Sequence, residues 1–431
     1  MAADVSTRRI LALALPALGV LAANPLYLLL DTAVVGRLGT EQLAALAAGT
    51  AVQSTVTTQL TFLSYGTTAR ASRLFGAGRR DEAVAEGVQA SWVAVVVGFL
   101  LAAAVWVLGF RVAYALTNDA TTAHAAAEWM RVAALAIPLT LLIMAGNGWL
   151  RGIQNTRLPL VLTLCGLIPG AVALPFLVAR YGLVGSAMSN VFGMGITASL
   201  FLFVLARTHV GSWLPRPRVI AKQLVLGRDL ILRSLSFQIS FLAAAATAGR
   251  FGVAALAAHQ ILLQLWNFLS LVLDSLAIAA QTLTGSALGR VQTEQARAVG
   301  LQVVKFSVAF SLVLAIIFAV FRTGIAALFT SDDSVFAALA VPWWLLIAMI
   351  VAGGVVFALD GVLLGAGDAA FLRNLTAASI VLGFLPLVVA SLLFGWGLAG
   401  LWVGHLLSVL MRLVGVVARF RSQKWARVGS S

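Results

Sequence analysis

Three of the fifteen carboxylates, Asp31, Asp274 and Asp360, stand well inside apolar runs. An ionised aspartate at the centre of a bilayer costs about 2.5–3.5 kcal/mol, so a side chain kept there is expected to face a partner or a cavity. Asp31 follows Pro16 by fifteen residues and Pro25 by six, in a segment whose prolines lack the backbone donor of an unbroken helix and allow it to bend. A carboxyl group on such a segment suits exchange of a proton or sodium ion for a substrate. Tyr27, one helical turn earlier on the same face, is expected to hydrogen-bond to it. The plainer alternative is a helix-end aspartate reaching the outer interface beside Arg37. Asp274 and Asp360 lie in segments that also hold Trp266, Phe268, Phe357 and Gln281, where an organic cation would meet counter-charge and aromatic faces. A structural hydrogen-bonding role is the alternative for both.

Nothing in the remaining residues assembles into an enzyme. His259 and His405 read as packing histidines. Gly76-Ala77-Gly78-Arg79-Arg80 lacks the preceding strand and the Lys-Ser/Thr pair of a phosphate loop, and reads as a cytoplasmic helix break. Asp332-Asp333 is an isolated acidic pair in an outer loop. The single cysteine, Cys165, excludes an intramolecular disulfide framework and a multi-thiolate metal site, and reads as inert packing. No cofactor and no resident metal are expected.

The segments that must position these residues follow from composition. Of the 431 residues 61% are hydrophobic and 10% charged, and the mean hydropathy is +1.00; an ordinary soluble domain is about a quarter charged. Lipid is therefore the solvent for most of the chain. Twelve stretches are long enough to cross a bilayer as helices, near 10–34, 43–66, 84–108, 125–147, 158–179, 183–206, 229–248, 254–283, 298–320, 335–362, 374–394 and 397–417. With the N-terminus inside, 23 of the 29 Lys and Arg fall on the inner side and 6 on the outer, the asymmetry of cytoplasmic loops. The net charge of +14 thus reflects topology and gives no reason to expect nucleic acid. Both termini are expected in the cytoplasm, with a lobe over 1–206, a basic linker over 207–228 and a second lobe over 229–431.

The two lobes repeat each other. At an offset of 213, Gly36-Arg37-Leu38-Gly39 falls on Gly249-Arg250-Phe251-Gly252, Leu43-Ala44-Ala45 on Leu256-Ala257-Ala258, Asp119 on Asp332, Gly148 on Gly361 and Gly152 on Gly365. With a small shift, Gly182-Leu183-Val184-Gly185 matches Gly397-Leu398-Ala399-Gly400. Six helices per half make the repeats parallel, an arrangement that transporters use to rock about a site at the repeat interface. The buried carboxylates are not duplicated: Asp31 faces Ala244, Asp274 faces Thr61 and Asp360 faces Asn147. The two halves are expected to do different jobs.

Together with Pro16, Asp31 and the Gly-Arg-x-Gly turns, Leu-Ala-Ala-His-Gln at 256–260 and Leu-Asp-Gly-Val-Leu-Leu-Gly-Ala-Gly-Asp at 359–368 make the chain resemble a multidrug and toxic compound extrusion (MATE) transporter of the DinF-like branch. The resemblance covers nearly the whole chain. It implies an all-α integral membrane protein, a V-shaped bundle of two six-helix lobes that exports drugs or other organic, often cationic, compounds in exchange for protons or sodium. It further implies that Pro16, Tyr27, Asp31 and Asn147 form the coupling-cation site of the N-terminal lobe, with protonation of Asp31 accompanying bending of the first helix. Two departures stand out. Leu164 to Leu177 carries Pro169, Gly170, Leu174 and Pro175 but no second carboxylate, and Gln238 stands where another branch has a glutamate. Both losses weaken a sodium site, which wants several oxygen ligands, so proton coupling is expected, with sodium at Asp31 the other option. The substrate cavity is expected to include Asp274, Asp360, Gln281, Gln238 and Trp266. The expected setting is a monomer in the cytoplasmic membrane, with a small organic substrate. A lipid-linked precursor flippase of the same superfamily is the first alternative, opposed by the acidic character of the buried charge. A membrane-embedded enzyme is a more remote one.

Overall fold

The computed structural model describes residues 6–428, and every regular element among them is helical. The chain forms two compact units. One runs Leu15–Gly227; the other takes residues 228–428 together with residues 6–14.

The first unit is built from α1 (Thr7–Val35) from Leu15 on, α2 (Thr40–Gln59), α3 (Phe62–Gly76), α4 (Arg80–Thr117), α5 (Ala120–Ala133), α6 (Ala136–Gly152), α7 (Arg157–Tyr181) and α8 (Leu183–Thr208). Helix α1 continues through both Pro16 and Pro25. The second unit holds α9 (Pro217–Arg250) from Arg228 on, α10 (Val253–Gly289), α11 (Thr293–Val320), the short α12 (Arg322–Ala327) and α13 (Asp333–Leu339), and α14 (Pro342–Gly365). A single run then joins α15 (Ala369–Ser379), a π turn at Ile380–Phe384 and α16 (Leu385–Phe394), before α17 (Gly397–Arg421). Within the expected linker 207–228, only residues 209–216 are irregular.

Ten helical runs are long and apolar enough to cross a membrane, and α5 with α6, bent by 45°, makes an eleventh. The remaining expected span, near 43–66, is the pair α2 and α3, interrupted at Leu60 and Thr61. Thr50, Gln53, Ser54, Thr57 and Thr61 dilute its apolarity.

Backbone punctuation recurs at the offset of 213. Left-handed φ angles occur at Gly39 (122°) and Gly252 (109°), Gly78 (77°) and Val291 (62°), Gln154 (64°) and Gly367 (73°), and Gly182 (60°) and Gly395 (68°). Glycine adopts this conformation without a Cβ penalty, which makes Val291 the strained member of its pair. Asp119 and Asp332 cap α5 and α13 by accepting from the backbone N–H of Thr122 and Ser334. Those hydrogen bonds favour the charged form and hold both exposed carboxyls below their ordinary range. The symmetry fails at one place that matters: α10 covers in one unbroken helix the positions that α2 and α3 cover in two.

Close packing substitutes for the hydrophobic drive that lipid removes. A Cβ on Gly166 of α7 would lie 2.0 Å from Thr197 Oγ1 and 2.4 Å from the Gly193 carbonyl oxygen of α8, so only glycine allows this approach. The core of the second unit is filled by Trp266, Trp343, Trp402, Leu269, Met349 and Ile350.

Candidate functional site

Within the first unit a cavity of about 280 Å³ opens among α1, α2, α3, α6, α7 and α8, close to the size that suits a small organic ligand. Helical periodicity builds its wall. Thr50, Gln53, Ser54, Thr57 and Thr61 follow one another along α2 and its end at steps of three, one, three and four. The same steps relate Thr140, Ile143, Met144, Asn147 and Arg151 on α6. Such spacing keeps a stripe on one helix face. Asn24 and Tyr27 of α1, Trp129 of α5 and Ser189 to Thr197 of α8 complete the enclosure. Arg151 is the one wall residue among the described residues that carries a full charge at neutral pH. Its Nη1 donates to Ser64 Oγ at 3.2 Å.

Asp31 lies behind this wall and not in it. It is 1% exposed, which excludes a side chain reaching the outer interface beside Arg37. Ser186 Oγ donates to Asp31 Oδ2 at 2.8 Å, and Trp129 Nε1, from the cavity side, donates to Ser186 Oγ at 3.2 Å. Asp31 Oδ1 has no hydrogen-bond partner among the described residues. The expected bond between Tyr27 and Asp31 does not form. Tyr27 Oη instead donates to Ser189 Oγ at 2.9 Å, and Ser189 passes the bond on to the Gly170 carbonyl at 2.6 Å. The tyrosine is long enough to reach across to α8, while the shorter aspartate meets α8 one turn closer to its start. Asn147 is buried in the cavity wall with its Oδ1 unpartnered. Pro16 is half-buried on α1 and does not line the cavity.

The residues expected to contact substrate all lie in the second unit. Asp360 Oδ2 accepts from Arg233 and, at 2.7 Å, from Arg412. Both guanidinium groups lie over the Phe237 ring, at 5.6 Å and 4.9 Å from its centroid. Asp360 is thus a neutralised carboxylate between two cations, which corrects its expected role as counter-charge for an organic cation. Trp266 is packed in the core with its ring edge-on to Phe357 at 6.3 Å. Gln281 is buried, Asp274 half-buried on α10, and Gln238 exposed on α9. None of the five lines the cavity of the first unit. His259 and His405 stack at 6.4 Å beside Trp402, as packing groups. Cys165 is exposed on α7, which corrects its expected packing role.

Several residues of the site went unrecognised in the sequence. Ser186 and Ser189 are ordinary-looking serines in an apolar helix. Arg151, Arg233 and Arg412 look in the sequence like any of the 23 inner-side basic residues, yet Arg151 and Arg412 are buried and Arg233 nearly so. Glu86 and Asp229, placed near helix ends by hydropathy, are buried too, held by Arg70 with Gln223 and by Arg373 with Arg228. The one available signal was the polar stripe on α2, whose helical period is legible in an otherwise apolar chain.

Comparison with known proteins matches the repeat. A family model described as MatE fits residues 16–176 and again residues 230–389. Protein DETOXIFICATION 44, chloroplastic, of Arabidopsis thaliana is 29% identical over 451 residues, covering 98% of this chain and 84% of its own. DNA damage-inducible protein F of Escherichia coli (strain K12) is 26% identical over 425 residues, covering 95% and 91%. Among solved structures, the Vibrio cholerae MATE transporter VcmN in its bent form superposes with a TM-score of 0.88 at 19% identity, covering 97% of this chain and 98% of that one.

Proposed function

We propose that this chain, which belongs to the MatE family of multidrug and toxic compound extrusion transporters, exports a small organic compound in exchange for protons, with Asp31 as the coupling group. Residues 1–206 and 229–431 act as its two lobes, joined by 207–228, and both termini lie on the cytoplasmic side of the cell membrane.

One observation carries this reading. Asp31 is buried, its one hydrogen-bond partner among the described residues is the neutral hydroxyl of Ser186, and Trp129 links that hydroxyl to a cavity of ligand size. A carboxylate held by one hydroxyl can take up a proton without abandoning an ion pair. The proton abolishes the negative charge at that end of the cavity, and a bound cationic group loses its attraction. Tyr27 and Asn147 line the cavity, and Pro16 gives α1 a point of bending when the charge changes. A sodium ion at Asp31 would want several oxygen ligands. One carboxylate and one serine supply few, so the donor set favours the proton. The flippase alternative is opposed on size, because about 280 Å³ suits a small molecule and not a lipid-linked sugar chain. The charge argument against it falls away, since the buried charge includes Arg151, Arg233 and Arg412.

The test is efflux of a fluorescent organic cation from proteoliposomes under an imposed pH gradient. Asp31→Asn is expected to reduce gradient-driven efflux to the protein-free rate while leaving a folded, monodisperse protein. Coupled efflux unchanged in that variant would overturn the assignment.

A further inference from the structure

We propose that the cavity of the first unit is bipolar and selects zwitterionic compounds, with Arg151 holding the substrate's carboxylate and its cationic end directed toward Asp31. This deepens the export reading above and rests on it.

The two charged groups belong to opposite ends of the same space. At one end Trp129 packs on Gly49 of α2 and donates to Ser186, which donates to Asp31. At the other, Arg151 donates to Ser64 of α3. Ser64 follows Gly49 by fifteen residues, so at 1.5 Å per residue the ends lie up to roughly 20 Å apart along α2 and α3. Arg151 is 4% exposed and lines the cavity. Its helix packs directly on α3, where the Cβ position of Gly148 is 2.9 Å from the Ser64 carbonyl oxygen, so Arg151 is set close against that helix. Asn147, one turn before Arg151 on the same face, presents an unpartnered Oδ1 from the same wall.

A simple organic cation would be attracted at the Asp31 end and repelled at the Arg151 end. A compound with an ammonium at one end and a carboxylate at the other is attracted at both. The planar fork of a guanidinium matches a carboxylate in two parallel hydrogen bonds, which an ammonium-type anchor would not. Protonation of Asp31 then weakens only the cationic end. Exchange for a proton is preserved, and the carboxylate contact fixes which way round the compound enters.

Equilibrium binding to the full chain in nanodiscs tests this, with radiolabelled 4′-(aminomethyl)biphenyl-4-carboxylate and its methyl ester as a pair differing in the anionic charge. Wild-type protein is expected to bind the acid about tenfold more tightly than the ester. Arg151→Gln should erase that preference while the ester keeps its affinity, and Arg151→Lys should restore part of it. Equal binding of acid and ester by the wild type, or an equal weakening of both by Arg151→Gln, would overturn the proposal. If Arg151→Gln does not fold, the wild-type ratio decides alone. Binding needs no gradient, so acid preference without gradient-driven flux would count against the antiport reading and leave this one standing.

Discussion

Asp31 and Asp360 are both buried aspartates on membrane-spanning helices, and their company is opposite. Asp31 meets one neutral hydroxyl and keeps an oxygen unpartnered beside a cavity. Asp360 is clamped by Arg233 and Arg412 over the ring of Phe237, in a unit whose core is filled with tryptophan. Burial alone therefore does not identify a working carboxylate. A group that must change charge cannot be held by fixed counter-charges, whereas a group that must hold helices together should be. The two units also differ around these groups: the helix that stays whole as α10 is broken into α2 and α3 in the first unit, where polar side chains line the cavity.

Exchanging the two carboxylates for amides is the strongest attempt to break this contrast. Asp31→Asn should abolish proton-driven efflux with little loss of thermal stability. Asp360→Asn should do the reverse, because it leaves two buried guanidinium groups without counter-charge, a loss of about 3–5 kcal/mol that a melting curve in detergent would register. Similar stability for the two variants would collapse the distinction. Arg412→Met, which leaves the Arg233 pair intact, should cost less than Asp360→Asn.

Smaller changes sharpen it. Ser186→Ala removes the hydroxyl that holds Asp31 and should slow coupled efflux about tenfold, the value of a hydrogen bond to a charged group. Tyr27→Phe, which breaks the contact with Ser189 and not one with Asp31, should slow it only about threefold. The ratio of the two initial rates is the measurement. In the backbone, Val291→Gly should stabilise the protein by about 1 kcal/mol, since Gly78 already occupies the matching left-handed position; denaturation midpoints would show it.

The smallest effect concerns the caps. Asp119 and Asp332 are held below their ordinary range by hydrogen bonds from Thr122 and Ser334. Their contribution is thus present above the unfolded value near pH 4 and is lost as pH falls through the lowered folded values. Asp119→Ala and Asp332→Ala should each lower the melting temperature slightly at pH 7 and have no effect in strong acid.

The helices and the repeat were legible because lipid imposes a length on every apolar run and because turn glycines stand at a fixed offset. Asp31 was legible for the same reason, as a charge inside an apolar segment. Its partners were not: a serine that receives an indole N–H and donates to a carboxylate looks like any serine in a membrane helix until α8 is packed on α1 and α5. The arginines misled for a different reason. Sorting them by side of the membrane treats each as a surface charge, and long side chains such as those of Arg233 and Arg412 reach inward from positions near a helix end. Asp274, Asp360, Gln281, Gln238 and Trp266 share only residue type in the sequence, and only the fold shows Asp360 engaged by Arg233 and Arg412, Trp266 in the core and Gln238 exposed.

The contact between α7 and α8, where Gly166 leaves no room for even a methyl group against Thr197 and Gly193, also bears on leakage. Under the proton exchange proposed above, a leak around the cavity would dissipate the driving gradient. Two backbones in direct touch leave no room for a file of water between α7 and α8 at this point. Enlarging Gly166 would then be felt first as a passive proton leak, visible as collapse of an imposed pH gradient in vesicles with no substrate present.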